Sequence, residues 1–274
     1  MPTAIIIGIG SDIGHELATR FIADGWTVVG TFRSDARLGG LPQGTRLVEC
    51  DLASEASTVA AGESLTREGA KWDAIIVAAG TEEPVGAFWD CDAQEWERAM
   101  HVNALAPLRL VRRLYADRSA GAQSSVAFFS GSGTNSAAPA YSAYCASKIL
   151  LIKMCELLDA ESGDTKFFII GPGIVRTKIH AETLKAGARG GANFEKVRAF
   201  LESGDPGTSH DDIYACLRWC MGLPKHVIGG RNIALAHDAW RNGGVSLVRS
   251  LEQEPEMYKL RRKGNARRIT RDGA

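Results

Sequence analysis

The segment YSAYCASK, residues 141–148, sets two tyrosines ahead of one lysine among small side chains. A phenol and an ammonium can work as a proton-transfer pair when one helix carries both. Tyr144 and Lys148 are four residues apart and share a helical face, whereas Tyr141 is seven from the lysine and stands nearer the preceding loop. A free phenol ionises near pH 10, so acid–base work at neutral pH asks for a shift of up to about three units, roughly 4 kcal/mol of differential stabilisation. A neighbouring ammonium acts in that direction, which makes Tyr144 the expected acid–base residue.

A second pattern supplies a place for a ligand. IIIGIGSDIGHELATRF reads as strand, glycine turn and helix, with Gly8, Gly10 and Gly14 in the turn. Glycine takes tight dihedrals and lets a pyrophosphate approach the backbone, while the amides opening the next helix, at Ser11, Asp12 and Ile13, offer it partial positive charge. The Gly-x-Gly-x-x-x-Gly spacing is one residue longer than the common dinucleotide fingerprint, and the alternative is a tight turn that only packs helix on strand. Ile13, Leu17 and Phe21 at four-residue spacing support the helix. Further along, VVGTFRS places Phe32 where a carboxylate would bind both ribose hydroxyls of NAD, and Arg33 follows; this favours NADP(H) over NAD(H). Asp51, ahead of Leu52 in VECDLAS, can meet the adenine amino group or cap a helix. The positive charge of a bound nicotinamide would add to that of Lys148 in favouring the phenolate.

These residues need a scaffold. Short β-branched runs, TAIIIG, TVVGTF, RLVECD, DAIIVAAG, SVAFFS, KFFIIG and a weaker NIALAH, alternate with helical segments. The pattern predicts an α/β fold, a Rossmann-like doubly wound parallel sheet in a single domain over residues 1–255. Residues 11–24, 92–117 and 144–161 read as the clearest helices, and Ile149 to Leu158 is apolar nearly all round, as in a deeply packed helix or a subunit interface. KAGARGGANFEK and ESGDPGTSHDD suit a mobile loop, so a substrate lid is expected at about 178–212. Residues 256–274 form a basic tail, with six cations from Arg261 to Arg271, read as solvated rather than as a polyanion contact.

Composition narrows the partners. Lys and Arg total 32, as do Asp and Glu, so no whole-molecule field recruits nucleic acid or an anionic membrane. No uninterrupted apolar stretch approaches the roughly 18 residues of a span, and AIIIGIG is too short for a signal core. The six cysteines lack zinc-like pairing; Cys216 and Cys220, one helical turn apart, read as buried thiols, and no metal is expected. A soluble, cytoplasmic protein fits best.

Taken together, the motifs resemble those of the short-chain dehydrogenase/reductase family, from the glycine loop to about residue 180 and more weakly beyond. The family's Tyr-x-x-x-Lys falls on Tyr144 and Lys148, and its glycine loop on Gly8 and Gly14, with Asp12 where a middle glycine is usual. Its active-site asparagine falls on Asn103 in WERAMHVNALAPL, and its Pro-Gly-x-x-x-Thr segment over the nicotinamide carboxamide on Pro172, Gly173, Ile174 and Thr177 in PGIVRT. VAAG, Val77 to Gly80, stands where Asn-Asn-Ala-Gly is usual, leaving Ala79 and Gly80 as the cofactor-side pair. Gly131 stands where a serine usually lies, flanked by Ser130 and Ser132; Ser130 is narrowly preferred as the match.

The resemblance implies hydride transfer between NADP(H) and a small-molecule carbonyl or secondary alcohol. Tyr144 would give or take the proton, Ser130 or Ser132 hold the oxygen, Lys148 lower the phenol pKa and bind ribose, and Asn103 position a resupplying water. It also implies a homotetramer or homodimer. Two other readings share these residues: a nucleotide-sugar epimerase or dehydratase that retains its nicotinamide, and a non-catalytic NADP(H) sensor. Cys145 reads as a packed thiol, His101 as helix surface or a local hydrogen bond, and Trp89 and Trp96 as pocket lining or core.

Overall fold

The computed structural model describes residues 1–34, 38–67, 71–119 and 124–262. Each of the seven runs becomes a strand: β1 (Thr3–Ile7), β2 (Thr27–Phe32), β3 (Arg46–Glu49), β4 (Ala74–Val77), β5 (Ser125–Phe129), β6 (Lys166–Gly171) and β7 (Asn232–Ala234). All pair in parallel in the order β3-β2-β1-β4-β5-β6-β7. The order reverses between β1 and β4, which leaves a crevice at the carboxyl ends of these two strands.

The strands are apolar on both faces because both faces are covered. Ala4 and Ile6 join Leu17, Phe21, Ile213 and Leu217 on one side, while Ile5 and Ile7 join Leu110, Leu114, Leu151 and Ile152 on the other. The first side is supplied chiefly by α1 (Asp12–Ala23) and, later in the chain, the helix His210–Gly222; the second by α2 (Glu55–Leu65) and the helices that follow.

Two expectations need correction. Residues 92–117 are not one continuous helix: α3 (Ala93–Met100) and α4 (Ala106–Leu114) are joined by a π-helical turn, His101–Leu105, and a one-turn 3₁₀ segment, Tyr115–Asp117, ends the run. The wide turn inserts an extra residue per hydrogen bond and faces Asn103 inward. After α5 (Ser142–Glu161), the region 178–212 is largely helical rather than an open loop. It holds α6 (His180–Ala186), a short turn, α7 (Gly191–Glu202) and the start of α8 (His210–Gly222). The glycines that suggested a loop make abrupt corners instead, Gly187 at φ 58° and Gly191 at φ 54°, and Val197 and Phe200 of α7 are buried.

The remaining helices are α9 (Lys225–Ile228) and α10 (Val245–Gln253). Buried Arg231 ties the end of α10 to the sheet, donating to the carbonyls of Leu251 and Met257 at 2.6 and 2.7 Å. Of the basic tail, Arg261 is partly exposed and pairs with Glu156 of α5 at 2.5 Å and with Glu256; Lys263 to Arg271 lie outside the described residues. Cys216 and Cys220 are buried free thiols on α8. Among the described residues no helix is long and apolar enough to cross a membrane, and no His, Cys, Asp and Glu group could hold a metal ion.

Candidate active site

The loop between β1 and α1 is shaped by what its glycines lack. Gly8 has φ +87°, and a Cβ there would stand 2.7 Å from the Ala79 Cβ; a Cβ on Gly14 would collide with the Gly8 carbonyl. The missing Cβ of Gly8 is what lets the end of β1 lie against the backbone of Ala79, just after β4. Ser11 caps α1, its Oγ accepting from the Gly14 amide at 3.0 Å. Asp12 does more than replace a glycine: its carboxylate accepts from the Lys178 amide at 2.6 Å, joining the first turn of α1 to the segment that leads into α6. The bare backbone cradle and the free amides opening α1 fit a dinucleotide pyrophosphate.

A cleft of about 500 Å³ starts at this loop and runs across the carboxyl ends of β4, β5 and β6. Its wall includes Ser11, Asp12, Ile13, Ala79, Gly80, Ser130, Ser132, Tyr144, Lys148, Pro172, Gly173, Ile174 and Thr177, so residues from four separated motifs converge. Asn103 stands just behind it, wholly buried, accepting from the Thr81 amide at 2.8 Å and donating to the Thr81 carbonyl at 2.9 Å. It also donates to Ser147 Oγ at 3.2 Å, which locks the π-turn to α5.

Gly8, Gly10 and Gly14 shape the loop without lining the wall, and Arg33, Asp51 and Leu52 fall elsewhere. Arg33 is exposed directly after β2, outside the cleft wall. Asp51 spends one carboxylate oxygen on the Ala53 amide at 2.9 Å, and the helix cap it might have provided is made by Ser54. Leu52 is buried in the core on the α2 side. Trp89 is neither pocket nor core, being 89% exposed, whereas Trp96 donates to Ser142 Oγ at 2.9 Å and packs edge-on to Phe88. Cys145 is half-buried, with its thiol pushed above the usual range by burial.

The electrostatics of the pair differ from the expectation. Lys148 Nζ donates to the Phe129 carbonyl at 3.0 Å and lies 5.5 Å from the centre of the Tyr144 ring. Burial lowers its pKa to about 8. Tyr144 is not drawn down: burial first, then the carboxylate of Glu82, hold it above the ordinary phenol value. The ammonium is spent on a backbone carbonyl, and in the protein alone desolvation outweighs it. The Tyr144 hydroxyl rests against Gly131, where any side chain would collide with it. Ser130, buried, donates to Asn232 Oδ1 at 3.2 Å; Ser132 is exposed at the mouth.

The cleft also holds residues that sequence reasoning missed. Glu82 is 7% exposed, and its pKa is raised to about 7, mainly by burial and further by Glu182. Thr183 donates to Glu82 Oε2 at 2.8 Å and shares a 2.8 Å hydrogen bond with the Tyr141 hydroxyl. Glu182 of α6 accepts from the Glu82 amide at 2.5 Å, the Glu83 amide at 3.1 Å and the Thr81 hydroxyl at 3.0 Å. Tyr141 is therefore a brace for this wall. The available signal was the position of TEEP just after β4, at the end of the sheet where the crevice opens.

The fold is a Rossmann-like doubly wound sheet with a cleft at its switch point, and the comparisons make the family definite. Residues 2–187 match the family model of the short chain dehydrogenases. The chain belongs to that family, NAD(P)-dependent oxidoreductases acting on CH–OH and C=O groups. It is similar to an NADPH-dependent pterin aldehyde reductase of Arabidopsis thaliana, 22% identical over 184 residues, which cover 65% of this chain and 76% of the relative. A short-chain dehydrogenase/reductase from Saccharomyces cerevisiae superposes with TM-score 0.74 at 20% identity, covering 88% of this chain and 99% of that one. A Shigella flexneri short chain dehydrogenase solved with NADP gives TM-score 0.70 at 20% identity, over 86% of this chain and 97% of that one.

Proposed function

We propose that the chain transfers hydride between NADP(H) and a carbonyl or secondary alcohol, with Tyr144 as the acid–base residue. The observation that carries this reading is the meeting of Tyr144 and Lys148, with Asn103 behind them, in the one cleft that begins at the glycine cradle. The nicotinamide supplies the hydride. Tyr144 gives its proton to the carbonyl oxygen during reduction, and takes it back in the reverse direction. Lys148 adds positive charge beside the phenol and can turn a donor toward the cofactor ribose; Asn103, fixed by both Thr81 backbone groups, keeps the proton path in place. Ser130, buried on the wall, is the hydroxyl we assign to the substrate oxygen, since Gly131 offers none.

NADP(H) is preferred over NAD(H) because no carboxylate ends β2 and Arg33 is free to meet a 2′-phosphate; the Arabidopsis relative is NADPH-dependent by name, and the Shigella structure holds NADP. A panel of carbonyls and alcohols, followed through nicotinamide absorbance with NADPH and NADH in parallel, tests reaction and cofactor together. Tyr144→Phe is expected to lower turnover by about 10³-fold or more while NADPH affinity stays within about twofold. Undiminished turnover in that variant would remove Tyr144 from the chemistry, and Ser130→Ala set against Ser132→Ala assigns the serine.

A further inference from the structure

The far wall of the cleft carries two buried acceptors that hydride transfer does not use. Glu82 lines the cleft with one oxygen held by Thr183, while its other oxygen has no partner among the described residues. His180 lines the same cleft at 8% exposure. Its Nε2 stands 2.9 Å from the Val175 carbonyl, which can only accept, so the proton is on Nε2 and Nδ1 is left with a lone pair. That Nδ1 is buried and has no partner among the described residues. Burial lowers the His180 pKa, so the ring is neutral at pH 7.

A buried acceptor without a donor is costly, and the buried Nδ1 of His180, with the free Glu82 oxygen on the wall of the same cleft, asks for a ligand that donates. The donor is best a neutral hydroxyl, because the Glu82 carboxyl already accepts one from Thr183 and the Lys148 ammonium in the same cleft opposes the cation that Glu82 and Glu182 would attract. Ser132, Thr134, Asn135 and Asn193 add short polar groups to a wall that Val175, Ile179 and Val197 make partly apolar. The supports are built in: Thr183 and Tyr141 fix the carboxyl of Glu82, and Glu182 fixes its backbone.

We propose that Glu82 and His180 receive a hydroxyl of the substrate close to its reacting carbon, so that the substrate class is hydroxylated carbonyls and polyols rather than plain ketones. This deepens, and rests on, the reading of the chain as a carbonyl and alcohol oxidoreductase. The site then discriminates by leaving its acceptors unpaired when the hydroxyl is missing.

The test compares kcat/KM with NADPH for 1-hydroxy-2-butanone and 2-butanone in the wild type, Glu82→Leu and Glu82→Gln, with thermal unfolding as the control for folding. The wild type is expected to favour the hydroxyketone by about tenfold or more, and Glu82→Leu to bring the ratio to within about threefold of unity. Glu82→Gln, which keeps the shape but not the charge, is expected to lower the preference severalfold and serves if the leucine variant does not fold. Equal rates on the two ketones in the wild type, or an unchanged ratio in every folded variant, overturn the proposal. If neither ketone turns over, that counts against the oxidoreductase reading alone, and the receptor is read by binding instead. Stabilisation against heat by erythritol but not by 1,4-butanediol, lost in Glu82→Leu, supports it; no difference between the two compounds overturns it.

Discussion

The two ends of the cleft are built by different means. At the cofactor end the chain works through what is absent: Gly8 and Gly14 leave room for backbone, Ala79 is small enough to sit beneath Gly8, and Ser11 closes the helix start within three residues. The substrate end works through long side chains that reach across 99 to 101 residues, with Glu182 holding the amides of Glu82 and Glu83 and Thr183 holding the Glu82 carboxyl. The first kind of construction tolerates almost no added atom, while the second can be weakened one hydrogen bond at a time. Substitutions at the two ends should therefore fail differently.

The largest effect is expected at Gly8. Gly8→Ala places a Cβ against Ala79 and forces a positive φ on a residue that resists it, a combined cost of about 3 kcal/mol or more. NADPH binding, followed by cofactor fluorescence, should be lost, with urea unfolding moved to clearly lower concentration. Retained binding would mean that the cradle is not where the dinucleotide sits.

Glu182→Ala comes next and acts at the other end. It removes the acceptor of three donors, two of them backbone amides, at a cost of about 2 kcal/mol confined to the α6 wall. We expect KM for the carbonyl substrate to rise about tenfold while the NADPH dissociation constant stays within about twofold. A matching loss of cofactor affinity would show that the two ends are not separable.

The same contrast governs what the sequence revealed. The cofactor end is local, so glycine spacing, the four-residue spacing of Ile13, Leu17 and Phe21 and the alternation of apolar runs carried it, and all seven strands stand where the β-branched runs lie. Tyr144 and Lys148 were legible because four residues on a helix is a fixed geometry. The far wall was hidden because Glu82 and Glu182, alone in sequence, are two ordinary charged residues until α6 folds back over the loop after β4. The glycines at 187 and 191 misled for a related reason: a positive φ serves a corner between packed helices as well as it serves a loop. Within 92–117 the local sign of an interruption was Pro107, which cannot donate and opens α4, while the tertiary hydrogen bonds of Asn103 to Thr81 and Ser147 that hold the π-turn before it could not be read from sequence.

Acid–base behaviour should separate the substrate end from the rest of the molecule. Because burial raises Glu82 to about 7, the folded chain binds this proton more tightly than the unfolded one. Its contribution is full below about pH 4.5 and is lost as pH rises through about 7, a change of up to roughly 3 kcal/mol. Urea unfolding at pH 5 and pH 8 should show Glu82→Gln gaining on the wild type at the higher pH. A difference that does not depend on pH would place the Glu82 carboxyl in water.

Glu156 gives the opposite sign and the smallest effect. Its hydrogen bond from Arg261 is the main cause that holds it down at about 2, so its contribution is present above about pH 4.5 and fades as pH falls toward 2. The pair lies on the outer side of α5 with Arg261 30% exposed, and solvent screening limits it to about 1 kcal/mol. Arg261→Ala should therefore destabilise modestly at pH 7, less at pH 3, and leave kcat and both KM values unchanged. If that substitution altered turnover, the segment after α10 would be coupled to the cleft through α5, the helix that carries both Glu156 and Tyr144, and the separation of the substrate end from the rest of the chain would fail there.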